Sequence, residues 1–365
     1  MQVPVLELKQ QYASMKDEIL EQINEVLDAQ WVIGGPKVEE LENKIAKLSE
    51  CQFAVGVSSG TDAILNTLMS LDIGPGDEVI TTAFTFFATG GCIARTGAKP
   101  VFVDINKNTF NIDPALIEAA ITDNTKAIMP VHLYGQMADM DPIMRIAGTY
   151  GLAVIEDAAQ SISSTYNKKP SGHIGTAGCF SFYPSKNLGG IGDGGMVVTN
   201  DERLYQRLKV MRNHGQTGAY EHKYIGGNFR LDAIQAAALL VKLKHLSKWS
   251  AARRKNAAYY NKKFADSPVT IPYIDDRCVS IYNQYVIRVQ NRDEVFEHLR
   301  NNGIGSMVYY PLPLHLQECF AYLGYKEGDL PETEKAAKEV MALPVYPEMT
   351  TEMQDYVVKS IVDFL

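Results

Sequence analysis

Apolar positions recur at helical spacing over residues 12–27 and again over 37–48, with Gly34-Gly35-Pro36 breaking the run between them. The spacing predicts two opening helices. The period then changes: 53–57 reads as a strand, 61–71 as a helix, 78–81 as a strand, 89–95 as a helix and 100–103 as a strand. Such βαβαβ alternation predicts a mostly parallel sheet with helices on its faces. It continues through a strand at 127–131, a helix at 140–150, a strand at 153–156 and two further strands at 178–183 and 195–199. Helices are expected at 202–212 and along the Ala-, Leu- and Lys-rich run 232–263, read as one spine leading out of the large domain. Beyond residue 266 a strand at 281–289, a helix at 292–301, a loop and a terminal helix at 351–364 predict a smaller α+β lobe. The expected architecture is therefore α/β, with a large domain over 1–250 and a smaller C-terminal α+β domain over 251–365. Internal repeats and low-complexity segments are absent from the sequence.

Composition leaves this picture intact, because 46% hydrophobic and 21% charged residues are ordinary for a globular chain. Charge narrows the partners. A net charge of −8 argues against a surface built for nucleic acid, so any phosphate has to be held locally. Five scattered cysteines, odd in number and without a C-x-x-C pair, fit reduced thiols and no metal-ligating set. Glu7, Lys9, Lys16, Asp17 and Glu18 interrupt the first twenty residues, and no window has the apolar length of a membrane span. A cytoplasmic protein without a membrane partner is expected.

Candidate chemistry concentrates in three places. Val154-Ile155-Glu156-Asp157 is an apolar strand ending in a carboxylate, and ligands of open α/β sheets sit at the carboxyl ends of strands. Asp157 thus stands either against a ligand or as the N-cap of a following helix. Ser181-Phe182-Tyr183-Pro184-Ser185-Lys186-Asn187 runs from a strand into a proline-broken turn with one lysine, and the glycines from Gly189 to Gly195 would let backbone approach a ligand closely. A lysine forms a Schiff base only where its amine sheds its proton. The same glycines match G-x-G-x-x-G, yet Met196-Val197-Val198-Thr199 reads as a strand where the dinucleotide fingerprint needs a helix. Val57-Ser58-Ser59-Gly60-Thr61-Asp62-Ala63 passes from strand to helix, giving free N–H groups and hydroxyls that cradle a phosphate without net positive charge. Phe84-Thr85-Phe86-Phe87 offers aromatic rings for stacking, or for the core.

With Gly34-Gly35-Pro36, Pro75-Gly76-Asp77-Glu78-Val79, Glu156-Asp157-Ala158-Ala159-Gln160, Gly192-Asp193-Gly194-Gly195 and Asn228-Phe229-Arg230-Leu231-Asp232 added in order, the chain closely resembles the DegT/DnrJ/EryC1/StrS family of nucleotide-sugar aminotransferases. The resemblance spans nearly the whole chain. It implies the fold-type I architecture of pyridoxal-phosphate (PLP) enzymes, a homodimer with shared active sites, and L-glutamate as amine donor. By the same resemblance Lys186 carries PLP as a Schiff base and shuttles the proton, Asp157 pairs with the pyridine nitrogen, Gln160 contacts the ring hydroxyl and Phe86 stacks on the ring. Gly60, Thr61 and Ser181 would hold the phosphate, with Asn228 reaching in from the other subunit. Lysine at 186 favours transamination over the deoxygenation of members with histidine there.

The stretches His132-Leu133-Tyr134-Gly135-Gln136 and Tyr309-Tyr310-Pro311-Leu312-Pro313 look most like members acting on UDP-2-acetamido-2-deoxy-3-oxo-glucuronate. Members using dTDP-linked 3-keto-6-deoxyhexoses have similar stretches, and 4-keto sugars are a further alternative. Trp31, Ser185, Arg230, Tyr309 and Tyr310 are the expected substrate contacts, Trp31 standing equally as a core aromatic. Arg230 is expected to receive the uronate carboxylate, or else to brace its loop on Asp232. A sensor built on this fold would have lost Lys186 or Asp157. An amino-acid aminotransferase would carry a carboxylate-binding arginine late in the chain, and Arg277, Arg288, Arg292 and Arg300 fall in no such motif.

Overall fold

The computed structural model describes residues 1–365. Strands β1 (Phe53–Val57), β2 (Glu78–Thr82), β3 (Lys99–Val103), β4 (Thr125–Ile128), β5 (Ala153–Asp157), β6 (Ala177–Ser181) and β7 (Gly195–Thr199) form one sheet in the order β1-β7-β6-β5-β4-β2-β3. Strand β7 runs antiparallel to both neighbours, and all other pairs are parallel. Both faces are covered, which is why β2 and β7 are buried at every position and read as continuous runs with little alternation. One face packs Val55, Ile64, Leu68, Ile155 and Val197 together, and the other gathers Leu41, Ile45, Phe180, Phe182 and Leu239.

The expected sheet and most of its crossover helices are present, including Met140–Tyr150 and Glu202–Arg212 with the expected bounds. Four expectations are corrected. The first helix is Lys16–Ala29, set off from a short turn of helix at Lys9–Ala13 by a break at Ser14 and Met15. The spine is two helices, Ala233–Leu243 and Leu246–Phe264, because the amides of Lys244 and His245 bond three residues back, to Val241 and Lys242, and tighten the chain into a turn. The strand expected at 281–289 shrinks to β8 (Tyr285–Arg288), since residues 281–284 turn aside to bond other loops. The loop expected before the terminal helix contains a helix, Pro331–Glu339, running directly into β9 (Val340–Leu343), which pairs antiparallel with β8. A helix joined to a strand without turn residues leaves no boundary to read.

A second core collects Ala257, Tyr260, Phe264, Tyr285, Val295 and Val357, and Val3 joins it from the other end of the chain, bridging to Ile304. No helix is long and apolar enough to cross a membrane, and all five cysteines are unpaired.

Candidate active site

Three strand ends meet at one edge of the sheet. Asp157 closes β5 and pairs with Cys179 of β6; two residues on, Ser181 closes β6 and pairs with Gly195, which in turn pairs with Val57 at the end of β1. The three segments in which the sequence concentrates candidate chemistry grow from this edge.

Asp157 is buried, with its amide bonded to Pro130 O at 2.9 Å. Thr89 Oγ1 donates to its Oδ2 at 2.7 Å and the Ala159 amide to its Oδ1 at 3.2 Å. Residues 158–164 are turns, so no helix follows for Asp157 to cap. Burial raises the pKa of this carboxyl, against the pull of Thr89, Ala159 and Lys186. Such a carboxylate calls for a cation facing it.

Lys186 is half-buried in the turn after Pro184, its amide bonded to Tyr183 O at 2.9 Å. Burial draws its amine down to about 8, with Asp157 opposing the shift. Behind it Asn187 Nδ2 donates to Ile281 O at 3.1 Å, and Asn283 Nδ2 donates to Asn187 Oδ1 at 2.8 Å. The flanking glycines are required by contacts within the chain itself. A Cβ on Gly189 would lie 2.3 Å from Pro184 O, and one on Gly195 2.3 Å from Ser59 O, so this run folds the chain tightly on itself. The strand β7 does follow it, as the rejection of a dinucleotide site requires.

The helix Gly60–Ser70 begins at this edge, its first intrahelical amide bond running from Ala63 to Ser59 and the Ser59 hydroxyl accepting from the Asp62 amide at 3.0 Å. The amides of Gly60 and Thr61 precede these bonds and have no acceptor in the helix. A Cβ on Gly60 would sit 2.6 Å from Ser181 Cβ, so only glycine lets the helix start and Ser181 lie this close. Ser181 Oγ and the two amides then form one cradle of donors.

Gln160 is buried with its orientation fixed: the Tyr134 amide donates to Oε1 at 2.7 Å, leaving Nε2 to donate to Tyr310 Oη at 3.2 Å. Phe86 is 58% exposed, with its ring centroid 6.4 Å from that of Tyr310, whereas Phe84 is wholly buried. The aromatic cluster thus divides into a free ring and a core ring. Tyr309 is half-buried, its carbonyl accepting from the Tyr134 hydroxyl, and Ser185 is exposed. Asn228 and Arg230 lie on a strip beside β1: Ser58 N bonds Phe229 O at 2.9 Å and Val57 bridges to Arg230. Asn228 is exposed, its backbone paired with Asn213. Arg230 forms no ion pair with Asp232; Nη1 donates to Asn213 Oδ1 at 2.7 Å, and Nε is buried without a protein partner. Trp31 is 61% exposed, which removes the core reading, and its strip continues through Ile33 to a bridge with Asp232.

Two buried elements escaped the sequence reading. His132 Nε2 donates to Glu156 Oε2 at 2.8 Å, because the Ala138 amide at 3.1 Å makes Nδ1 the acceptor. Although burial pushes Glu156 up, His132 and the amides of Gly172 and Gly175 outweigh it and hold the carboxyl below its ordinary value. The second is Thr89 with Thr85, their hydroxyls 2.9 Å apart. The i, i+4 spacing of two threonines beside the aromatic run was the available signal.

These residues fit PLP. A cradle of uncharged donors suits a phosphate, a buried carboxylate suits a protonated ring nitrogen, and an amine near 8 suits a Schiff base. The chain matches the DegT/DnrJ/EryC1/StrS aminotransferase family over residues 13–362. It is 54% identical to a pleiotropic regulatory protein of Geobacillus stearothermophilus, covering 100% of this chain and 99% of that one. It is 44% identical to the UDP-2-acetamido-2-deoxy-3-oxo-D-glucuronate aminotransferase of Pseudomonas aeruginosa, over 96% of each chain. The crystal structure of S. venezuelae DesV in complex with a ketimine intermediate superposes with a TM-score of 0.97, at 39% identity over 100% of this chain and 98% of that chain. The protein belongs to the DegT/DnrJ/EryC1/StrS family and is a PLP-dependent sugar aminotransferase.

Proposed function

We propose that the chain transfers the amino group of L-glutamate to the 3-keto carbon of UDP-2-acetamido-2-deoxy-3-oxo-D-glucuronate, in the cytoplasmic synthesis of a surface polysaccharide such as lipopolysaccharide O-antigen. The observation that carries the chemistry is the convergence of Lys186, Asp157 and the Gly60–Ser181 cradle at one sheet edge. Gly60, Thr61 and Ser181 bind the phosphate, Asn228 of a second copy completes that contact, and Phe86 covers the ring. Asp157 holds the ring nitrogen protonated, and Gln160 turns Nε2 to the ring oxygen. PLP, when bound, supplies the electron sink for the carbon that bears the amine. Lys186 anchors it; once released, Nζ takes the proton from the α-carbon of glutamate and later delivers one to C3 of the sugar.

The sugar assignment rests on the activity named for the Pseudomonas aeruginosa relative and on Arg230. Its guanidinium lies beside β1, with Nη1 held by Asn213 and Nε buried without a protein partner, and this reading turns the group toward a uronate carboxylate. Trp31, Ser185, Tyr309 and Tyr310 are the further sugar contacts. Residues 1–250 and 251–365 act as two domains, a division supported by helix Leu246–Phe264, which carries Trp249 in one cluster and Tyr260 in another. The test is turnover with glutamate on a panel of UDP- and dTDP-linked 3-keto and 4-keto sugars. The uronate should be preferred, and Arg230→Lys should lower its kcat/KM about tenfold or more while barely changing turnover of a 6-deoxy analogue. Preference of the unaltered enzyme for the 6-deoxy sugar refutes the assignment.

A further inference from the structure

Thr89 and Thr85 lie behind the site and touch nothing outside the protein. Both are buried, at 0% and 2% exposure. A helical threonine commonly turns its hydroxyl back to the carbonyl four residues earlier. Thr67 does so, to Ala63 O at 2.7 Å. Thr89 instead reaches 68 residues along the chain to Asp157 Oδ2, and its oxygen lies 2.9 Å from Thr85 Oγ1.

Counting protons gives the chain a direction. A hydroxyl has one proton, and an ionised carboxylate only accepts. With Asp157 ionised, Thr89 must donate to Oδ2, so the contact between the two threonines is filled by the Thr85 proton. With Oδ2 protonated, both bonds reverse. Oδ1 is committed to the Ala159 amide in either state. The two hydroxyls are therefore polarised with Asp157, and each donation toward it strengthens the next.

We propose that Thr89 and Thr85 form a positioning relay that holds Asp157 as a carboxylate aimed at the ring nitrogen of the cofactor. The proposal rests on the reading that Asp157 faces that nitrogen. Burial by itself favours the neutral acid, whose proton would sit on Asp157 and leave the ring nitrogen bare and the electron sink weak. The relay offsets this with a donor that no solvent has to supply.

The experiment is the nitrogen-15 chemical shift of enriched PLP bound to the dimer or whatever assembly the protein forms, which separates protonated from bare ring nitrogen. Steady-state kinetics and cofactor affinity accompany it. Thr89→Val keeps shape and removes the hydroxyl; Thr89→Ser keeps the hydroxyl; Thr85→Val removes only the distant donor; Asp157→Asn is the control for the underlying reading. Supporting results are a shift toward bare nitrogen in Thr89→Val, a smaller one in Thr85→Val, and recovery in Thr89→Ser. The kcat of Thr89→Val should fall about tenfold or more with the KM for sugar changed by less than about twofold. A protonated nitrogen in Thr89→Val, alongside a bare one in Asp157→Asn, overturns the relay and leaves the Asp157 reading standing. A protonated nitrogen in Asp157→Asn overturns both. If Thr89→Val does not fold, an unchanged shift in Thr85→Val overturns the relay on its own.

Discussion

Replacing Gly60 by alanine tests the phosphate cradle at its tightest point. The new methyl carbon would stand 2.6 Å from Ser181 Cβ, 3.0 Å from Ser181 Oγ and 3.2 Å from Ser181 Cα. Carbon atoms rest about 3.5–4.0 Å apart, so the helix start and β6 must separate by about 1 Å. Strain of this kind costs about 1–3 kcal/mol in a packed region. A shift of that size also lengthens the donations from the Gly60 and Thr61 amides and from Ser181. Losing one charge-assisted hydrogen bond, worth about 1.5–3 kcal/mol, weakens PLP binding roughly 10- to 100-fold. The measurements are the thermal midpoint of the apoprotein and the PLP dissociation constant by equilibrium dialysis. Adding Ser181→Gly removes the clashing Cβ. The double variant should recover most of the apoprotein midpoint but not the full affinity, because the Ser181 hydroxyl is gone. A folded Gly60→Ala protein that binds PLP within about twofold of the unaltered chain refutes phosphate binding at this helix start.

Borohydride reduction of the holoenzyme should fix the cofactor to Lys186, and a peptide map with the adduct on another lysine overturns the anchor. The depressed Lys186 amine, about 8 against an ordinary 10.5, means the unfolded chain holds that proton more tightly. Apoprotein stability should therefore rise as pH increases from about 8 toward 10.5, by up to about 3 kcal/mol, and Lys186→Met should lose this part of the slope in urea unfolding. Mixing inactive Lys186→Ala with inactive Asn228→Ala subunits should restore activity, because one site per hybrid dimer is then intact. Hybrids that stay inactive while subunits demonstrably exchange exclude the shared site.

The sheet was legible because each buried strand between amphipathic helices announces itself by period, and β1 and β7 have the expected bounds. Asp157 was legible by its place at a strand end. What escaped depends on long-range pairing. Strand β9 follows a helix without turn residues, and only its partner β8 gives it identity. Thr89 and Glu156 are ordinary residues in the sequence until folding sets one against Asp157 and the other against His132. The glycines after Lys186 were marked as sites where backbone approaches a ligand, and within the chain they are crowded by Pro184, Gln235 and Ser59. Spacing reports that a backbone is crowded and is silent on the identity of the neighbour.

Residues 281–284 bring two distant parts of the site under one reference. The Ile281 amide bonds Gly135 O at 3.1 Å beside Tyr134, whose own amide orients Gln160, while Ile281 O and Asn283 Nδ2 hold Asn187 next to Lys186. A machinist would call this a common datum: the orientation of Gln160 and the position of the Lys186 turn are gauged from the same short segment. A small displacement of that segment carries both together, so the span between them is preserved. The chain can thus vary its loops elsewhere without changing that span, whereas an insertion within 281–284 would displace Gln160 and Lys186 at once.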